Sequence, residues 1–352
     1  MDILEKFNFI HFGCWNKNNS PFYNVIDSIN THNEDVQFIS VAGDNYYPSK
    51  EKKDGVKVKT LNMDNLNSGF EKLKTIKKPI YLTFGNHDID DFSSCKHCHH
   101  EKEACIKCTN LEAQVKISST KPKINIYPET LHIERNNSII FFLDSSVYEL
   151  IEENNDEDMD IKDTCYAHLN LLEDIKTLTQ LIDYQLKYVT ENIKEHTNVL
   201  FVFHHPIISK KLKEKDGKKK EKVSFSNGLI NFYIELNELL KGKNIYHLCA
   251  DTHYYQSSIV NINGLNINQY IVGTGGADLD EGDENKIIIN SDNTIIYTPT
   301  SKEYNSSYGY LHVVENDNGF IFEFSSIMDE AKNKYLKYKT KYLKLKEYKN
   351  LL

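Results

Sequence analysis

Five short blocks carry side chains that can do chemistry: FGCWN at 12–16, GDNYY at 43–47, GNHD at 85–88, FHHP at 203–206 and ADTHYYQ at 250–256. Together they offer a thiol, carboxylates, an amide, phenols and imidazoles. Hard oxygen donors mixed with imidazoles suit two adjacent divalent or trivalent metals. Two such metals about 3.5–4 Å apart can clamp a phosphate and generate hydroxide for in-line attack. The candidate residues are Cys14, Asp44, Tyr47, Asn86, His87, His204, Asp251 and His253. Each has a plainer use. Asp44 could cap a turn, Asn86 and His87 could be turn residues, Asp251 could be a loop carboxylate, and Cys14 could be a small buried hydrophobe. The weight lies in the set and its order.

The blocks sit at the ends of short apolar, β-rich runs. These are FNFIHFG (7–13), QFISVAG (37–43), PIYLTFG (79–85), SIIFFLD (138–144), NVLFVFH (198–204) and NIYHLCA (244–250). Continuous apolar runs predict strands buried on both faces. Helical patterns lie between them near 22–30, 61–76, 169–196 and 228–240. Alternating strands and helices predict a layered α/β architecture, with a site in the crevice at the strand ends. From about Tyr254 onward the pattern turns to strands: SSIVNING, NINQYIVG, TIIYTP, YGYLHVVEN and GFIFEFSS. The expected fold is a four-layer αββα sandwich of two mixed β-sheets flanked by helices.

In order and placement the five blocks resemble the motifs of the calcineurin-like metallophosphoesterase superfamily. They are most similar to those of the purple (tartrate-resistant) acid phosphatases: GDxG, GDxxY, GNH(E/D), HxP-type and GHxH. The likeness runs over roughly residues 7–325 and includes Leu248, Cys249, Gln256 and the YGYLHV segment at 308–313. It implies a metal-dependent phosphoesterase, acid-phosphatase-like, that hydrolyses phosphate monoesters with metal-bound hydroxide as nucleophile. Asp44 then resembles the carboxylate that bridges two metals (iron, zinc or manganese). Tyr47, Cys14 and His253 would complete one metal's shell, and Asn86, His204 and Asp251 the other's. His87 would contact the phosphate or protonate the leaving group, with His205 behind the donors. Two positions depart from the family pattern: Cys14 stands where Asp is expected, and Ala250-Asp251 where Gly-His is expected. A thiolate is softer and favours zinc or ferrous iron. An extra carboxylate adds negative charge, which raises the pKa of bound water. A phosphodiesterase, or a weakened phosphatase fold serving as a binding or scaffold protein, are the alternatives.

Cys95, Cys98, Cys105 and Cys108 form two CxxC pairs, the spacing of a closed four-thiolate structural zinc. His97, His99 and His100 could substitute as ligands. The N-terminus reads as no signal peptide, so the expected compartment is intracellular, where thiols bind metal more often than they pair. Cys165 and Cys249 read as core residues, and His247 as a satisfied core histidine. No apolar run approaches the roughly 18 residues of a membrane span.

The 352 residues are 39% hydrophobic and 26% charged, the balance of a globular chain. A net charge of −9 argues against non-specific nucleic-acid binding. Residues 1–328 are expected to form the metallophosphoesterase domain, with a Cys-rich zinc-knuckle insertion at 93–110 and an exposed charged loop at 208–223. The acidic stretch 152–160 reads as a solvated loop. Residues 329–352 read as a basic amphipathic C-terminal helix. It would dock to an anionic surface or scaffold, form a short coiled coil, or pack on the domain. Its KYLKYKTKYLKLK core resembles a tail found on proteins of giant DNA viruses, which would place the chain in host cytoplasm or virion. The expected substrate is a phosphorylated small molecule or protein.

Overall fold

The computed structural model describes all of the chain except residues 1–5, 48, 54–55, 61, 90–107, 121–122, 129–130, 155, 157–158, 170–173, 216–217, 283–286, 291–293, 300–304 and 328–352. The knuckle cysteines Cys95, Cys98 and Cys105 and the basic tail therefore lie outside the described residues, as does the side chain of Cys108. The first half runs β1 (Asn8–Phe12), α1 (Ser20–Thr31), β2 (Phe38–Ala42), β3 (Ser49–Lys53), β4 (Val56–Thr60), α2 (Met63–Leu73), β5 (Ile80–Thr83), α3 (Asn86–Ile89), α4 (Cys108–Ser119), β6 (Ile124–Ile126), β7 (His132–Arg135), β8 (Ser138–Phe142) and α5 (Ser146–Asn154). After α6 (Leu178–Asn192) come β9 (Asn198–Val202), β10 (Ile208–Lys215), β11 (Lys218–Phe225), α7 (Asn227–Glu235), α8 (Asn237–Leu240) and β12 (Asn244–Cys249). The rest is strand: β13 (Tyr255–Ile262), β14 (Leu265–Val272), β15 (Glu281–Gly282), β16 (Ile287–Asn290), β17 (Thr294–Pro299), β18 (Tyr308–Asn316) and β19 (Gly319–Ile327).

Two large mixed sheets result, as the apolar runs predicted. One has the order β19-β18-β1-β2-β5-β6 and the other β16-β17-β13-β14-β12-β9-β8-β7. Within the first, β1, β2, β5 and β6 are parallel, and within the second β8, β9, β12 and β14 are parallel. Parallel strands place their carboxyl ends on one edge, so each sheet offers a row of ends to the same crevice. Every residue of β2, β8 and β9 is buried, which is why these strands read as unbroken apolar runs. Phe141 stacks on Phe201 with ring centroids 5.5 Å apart, and both are fully buried. Burying one such ring stabilises by about 1.5–3 kcal/mol.

Four expectations need correction. The helical pattern at 169–196 becomes a helix only at Leu178. There Thr177 accepts from the Gln180 amide and the Gln180 side chain accepts from the Thr177 amide, a capping box. Upstream lie two 3-10 turns, Ile161–Asp163 and Cys165–His168. The pattern at 228–240 breaks at Leu236, whose amide bonds back to Phe232 and Ile234. The charged stretch 208–223, expected as a loop, is a paired hairpin of β10 and β11, with β15 on its outer edge. Backbone pairing does not depend on side-chain charge, and lysine stems cover a sheet surface while their ammonium groups stay in water. The acidic stretch at 152–160 likewise begins inside α5.

Candidate metal centre

Cys14, Asp44 and Asp251 each lie two residues past a strand end, after β1, β2 and β12. All three adopt the left-handed backbone, with φ of 54°, 52° and 55°. That region costs a non-glycine residue roughly 1–2 kcal/mol, and such strain collects at functional sites. The preceding residues make room for the turns. Gly43 has φ of 71°, and a Cβ there would stand 2.6 Å from the Gly85 amide and 2.7 Å from Nδ1 of His204. A Cβ on Gly13 would meet the Ala42 carbonyl oxygen at 2.7 Å. The sheets therefore touch where the donor side chains leave them.

Asp44 is the hub and is 1% exposed. Its Oδ2 accepts from the Tyr47 hydroxyl at 2.8 Å and from the Cys14 thiol at 3.7 Å. Its Oδ1 accepts from the His87 amide at 3.1 Å and stands 3.4 Å from Nε2 of His204. One group of donors, Cys14, Asp44 and His253, has its ligand atoms within 4.8 Å of one another. A second group, His204, His205 and Asp251, meets the same limit. The carboxylate thus has one oxygen toward each group. Asn86 heads α3 and shares a cleft wall with His205 and Asp251.

Two imidazoles are held as metal ligands are held. Nδ1 of His204 lies 2.7 Å from the Ala42 carbonyl, and Nδ1 of His253 lies 2.7 Å from the Asp278 carbonyl. A carbonyl only accepts, so each Nδ1 carries the proton and each Nε2 presents a lone pair. Nε2 of His204 is buried and has no hydrogen-bond partner, while Nε2 of His253 faces the Tyr47 hydroxyl at 3.4 Å. A buried, orphaned lone pair is costly unless something electron-poor fills the gap.

The electrostatics point the same way. Burial opposes ionisation of Asp44, but His204 and His87, with the Tyr47 hydroxyl and His253, outweigh it and hold the carboxyl down to about 2. Burial, then the Asp44 charge, pushes the Cys14 thiol and the Tyr47 phenol well above their ordinary ranges. A thiol and a phenol beside a buried carboxylate keep their protons unless a cation displaces them. The donor set therefore fits two metal ions.

Several residues of the site escaped sequence reading. His205, expected behind the donors, stands among them: its Nε2 faces Oε2 of Glu149 at 2.8 Å and its Nδ1 bonds Oγ of Ser145 at 2.9 Å. Burial would depress this imidazole, yet the charge and hydrogen bond of Glu149, with Asp251 and Asp44, raise it to about 9. Glu149 and Ser145 lie between motifs, where nothing in local sequence marks them. Asp88 of the GNHD block ties two motif turns together. It accepts from the Asn45 amide at 3.1 Å, the Gly85 amide at 2.9 Å and the Gln114 side chain at 2.7 Å. Asp144 lies two residues past β8 but outside the two donor groups, accepting instead from the Ser146 amide at 2.8 Å and the Tyr166 hydroxyl at 2.5 Å. His247 is a satisfied core histidine, with the Tyr233 hydroxyl at 2.9 Å and the His205 carbonyl at 3.0 Å. Cys249 is buried and free, whereas Cys165 is buried and disulfide-bonded.

Residues 7–255 match the calcineurin-like phosphoesterase family, Metallophos. The chain belongs to that family. Its members are metal-dependent phosphoesterases built around a dimetal centre, which is the chemistry that the two donor groups on Asp44 fit. The fold is similar to that of GAP50, the anchor in the inner membrane complex of Plasmodium, with a TM-score of 0.56 and 14% identity. That likeness covers 91% of this chain and 84% of GAP50. PhoD aligns with a TM-score of 0.49 and 13% identity over 88% of this chain and 63% of its own. No curated protein matches the chain. Among the described residues no helix is long and apolar enough to cross a membrane.

Proposed function

We propose that the chain hydrolyses phosphate monoesters at a dinuclear centre bridged by Asp44, in the manner of an acid phosphatase. The observation that carries this is the division of the Asp44 carboxylate, with Oδ2 toward Cys14 and Tyr47 and Oδ1 toward His204. Cys14, Tyr47, His253 and Asp44 would hold one metal. Asp44, Asn86, His204 and Asp251 would hold the other, with His205 behind them, tied to Glu149 and Ser145. Two bound cations would supply charge to clamp a phosphate and acidity to deprotonate water. The protein's own part is to fix the donors. Ala42 and Asp278 carbonyls orient two imidazoles, and the His87 amide and Tyr47 hydroxyl hold the carboxylate. His87 is half-buried beside the Tyr47 ring, centroids 4.8 Å apart, and would give a proton to the departing alcohol. Phosphodiesters are a further substrate class for the same centre.

The Cys95–Cys98–Cys105–Cys108 set is proposed to hold one structural zinc in a knuckle at the rim, and residues 329–352 to form a separate basic helix.

The second proposal is a weakened phosphatase fold that binds a partner. It is favoured by the buried, protonated thiol at position 14 and by GAP50, a protein of the same fold described as an anchor. Metal content per chain, measured beside p-nitrophenyl phosphate turnover for wild type and Asp44→Ala, separates the two. Turnover with two metals lost in the variant supports the enzyme. No turnover, with equal metal content in both proteins, supports the binding protein.

A further inference from the structure

We infer that Lys222, with Ser209 and Ser224 beside it, forms an anion subsite that selects phosphate esters bearing a second phosphate on the leaving group. This rests on the phosphoesterase proposal for the neighbouring centre. A cleft of about 250 Å³ is lined by Asn86, His205 and Asp251 on one side and by the β10–β11 hairpin on the other. In the hairpin register Ser209 opposes Ser224 and Lys211 opposes Lys222, and all four line the cleft. Side chains directly opposite on paired strands share a face. Two hydroxyls and two ammonium groups therefore turn toward the space beside the metal donors.

Like charges directly opposite destabilise a strand pair, and pairing itself does not require them. One of the two charges is compensated, since Nζ of Lys211 stands 3.2 Å from Oδ2 of Asp280. The same Asp280 oxygen accepts from the His253 amide at 3.2 Å, which ties the hairpin to the metal donors. Lys222 is exposed and has no carboxylate partner among the described residues. The acidic groups on the far wall are engaged, Glu149 with His205 at 2.8 Å and Glu152 with the Gly228 amide at 2.8 Å. Asp251 stands with the metal donors. The ammonium of Lys222 is thus a charge in the cleft that the protein leaves for a ligand. A doubly phosphorylated substrate places one phosphate at the donors and offers the other to Lys222 and the adjoining serines.

The test compares 1,4-butanediol monophosphate with 1,4-butanediol bisphosphate, using full-length protein loaded with manganese or zinc and measuring released phosphate. Wild type is expected to favour the bisphosphate in kcat/KM. Lys222→Ala should cut the ratio of the two values about tenfold, the size of one charge-assisted hydrogen bond. Lys222→Arg should retain the ratio and Lys222→Glu should reverse it. A wild type that treats the esters alike, or a ratio unmoved by Lys222→Ala, overturns the subsite. If metal-loaded wild type turns over neither ester, the phosphoesterase proposal fails. Calorimetric binding of the bisphosphate then decides the subsite: weaker binding by Lys222→Ala upholds it and equal binding overturns it.

Discussion

Cys14 and Asp251 hold the same backbone posture on different sheets, each two residues past its strand and each at a φ near 55°. They are also the two positions at which the sequence departs from the motifs it resembles. The shared posture brings the Cys14 thiol to Asp44 and the Asp251 carboxylate to His204 and His205, so a change of residue type at either turn would change the atom delivered there.

Replacing Cys14 by aspartate should therefore place a hard oxygen where the thiol now lies. The expected outcome is a shift in preference from zinc toward ferric iron, with turnover kept or raised. Cys14→Ala should instead weaken one metal by at least about tenfold, the lower end for lost support of a ligand shell. Competition titrations with zinc and iron, read by elemental analysis, check both. Equal metal content and affinity in all three proteins would count against Cys14 as a ligand.

Gly43 holds two turns and His204 apart. Gly43→Ala forces a Cβ to within 2.7 Å of Nδ1 of His204 and places a side chain at φ 71°. The backbone alone costs roughly 1–2 kcal/mol, and the clash adds to it. Urea unfolding should show a lower midpoint with little change in slope. Metal binding should weaken in step, since the displaced ring is a donor.

Stability should fall with acid below about pH 6.5, through two core histidines. Burial first, then neighbouring charge, lowers His11 to about 3, and burial lowers His247 to about 4. In the unfolded chain each titrates near 6.5, so between pH 6.5 and 4 the unfolded state binds more protons. Their contribution is complete above pH 6.5 and is lost as pH falls toward the folded values. Each shifted unit corresponds to roughly 1.4 kcal/mol, so each histidine could remove on the order of 3 kcal/mol by pH 4. Denaturant midpoints measured from pH 7.5 to 4 check the slope, and His247→Gln should flatten it.

Serine at both Cys95 and Cys98 should remove about one zinc per chain if the knuckle is a closed four-thiolate site. The measurement belongs under both reducing and oxidising conditions, because Cys165 is disulfide-bonded in the fold. Zinc that is absent from reduced wild type would refute the knuckle.

Much of this was legible in the chain. The strand ends at Phe12, Ala42, Thr83, Val202 and Cys249 could be read to within two residues, because buried strands leave continuous apolar runs that stop where polar donors begin. The hairpin at 208–225 could not be read this way, since its pairing is a backbone property that lysines neither encode nor forbid. The start of α6 was misplaced because a capping box outweighs a periodic pattern that runs past it.

The sequence by itself determined the donor types, their order and the α/β frame, all of which are local patterns along one strand or helix. Only the tertiary structure decided how those donors divide. The packing of two sheets brings His204, from far along the chain, to 3.4 Å from Oδ1 of Asp44, while the Cys14 thiol and the Tyr47 hydroxyl reach Oδ2. The same packing sets Glu149 against His205 and Asp280 between His253 and Lys211. These are single long-range contacts between side chains with no shared local pattern, and they exist only once both sheets are in place.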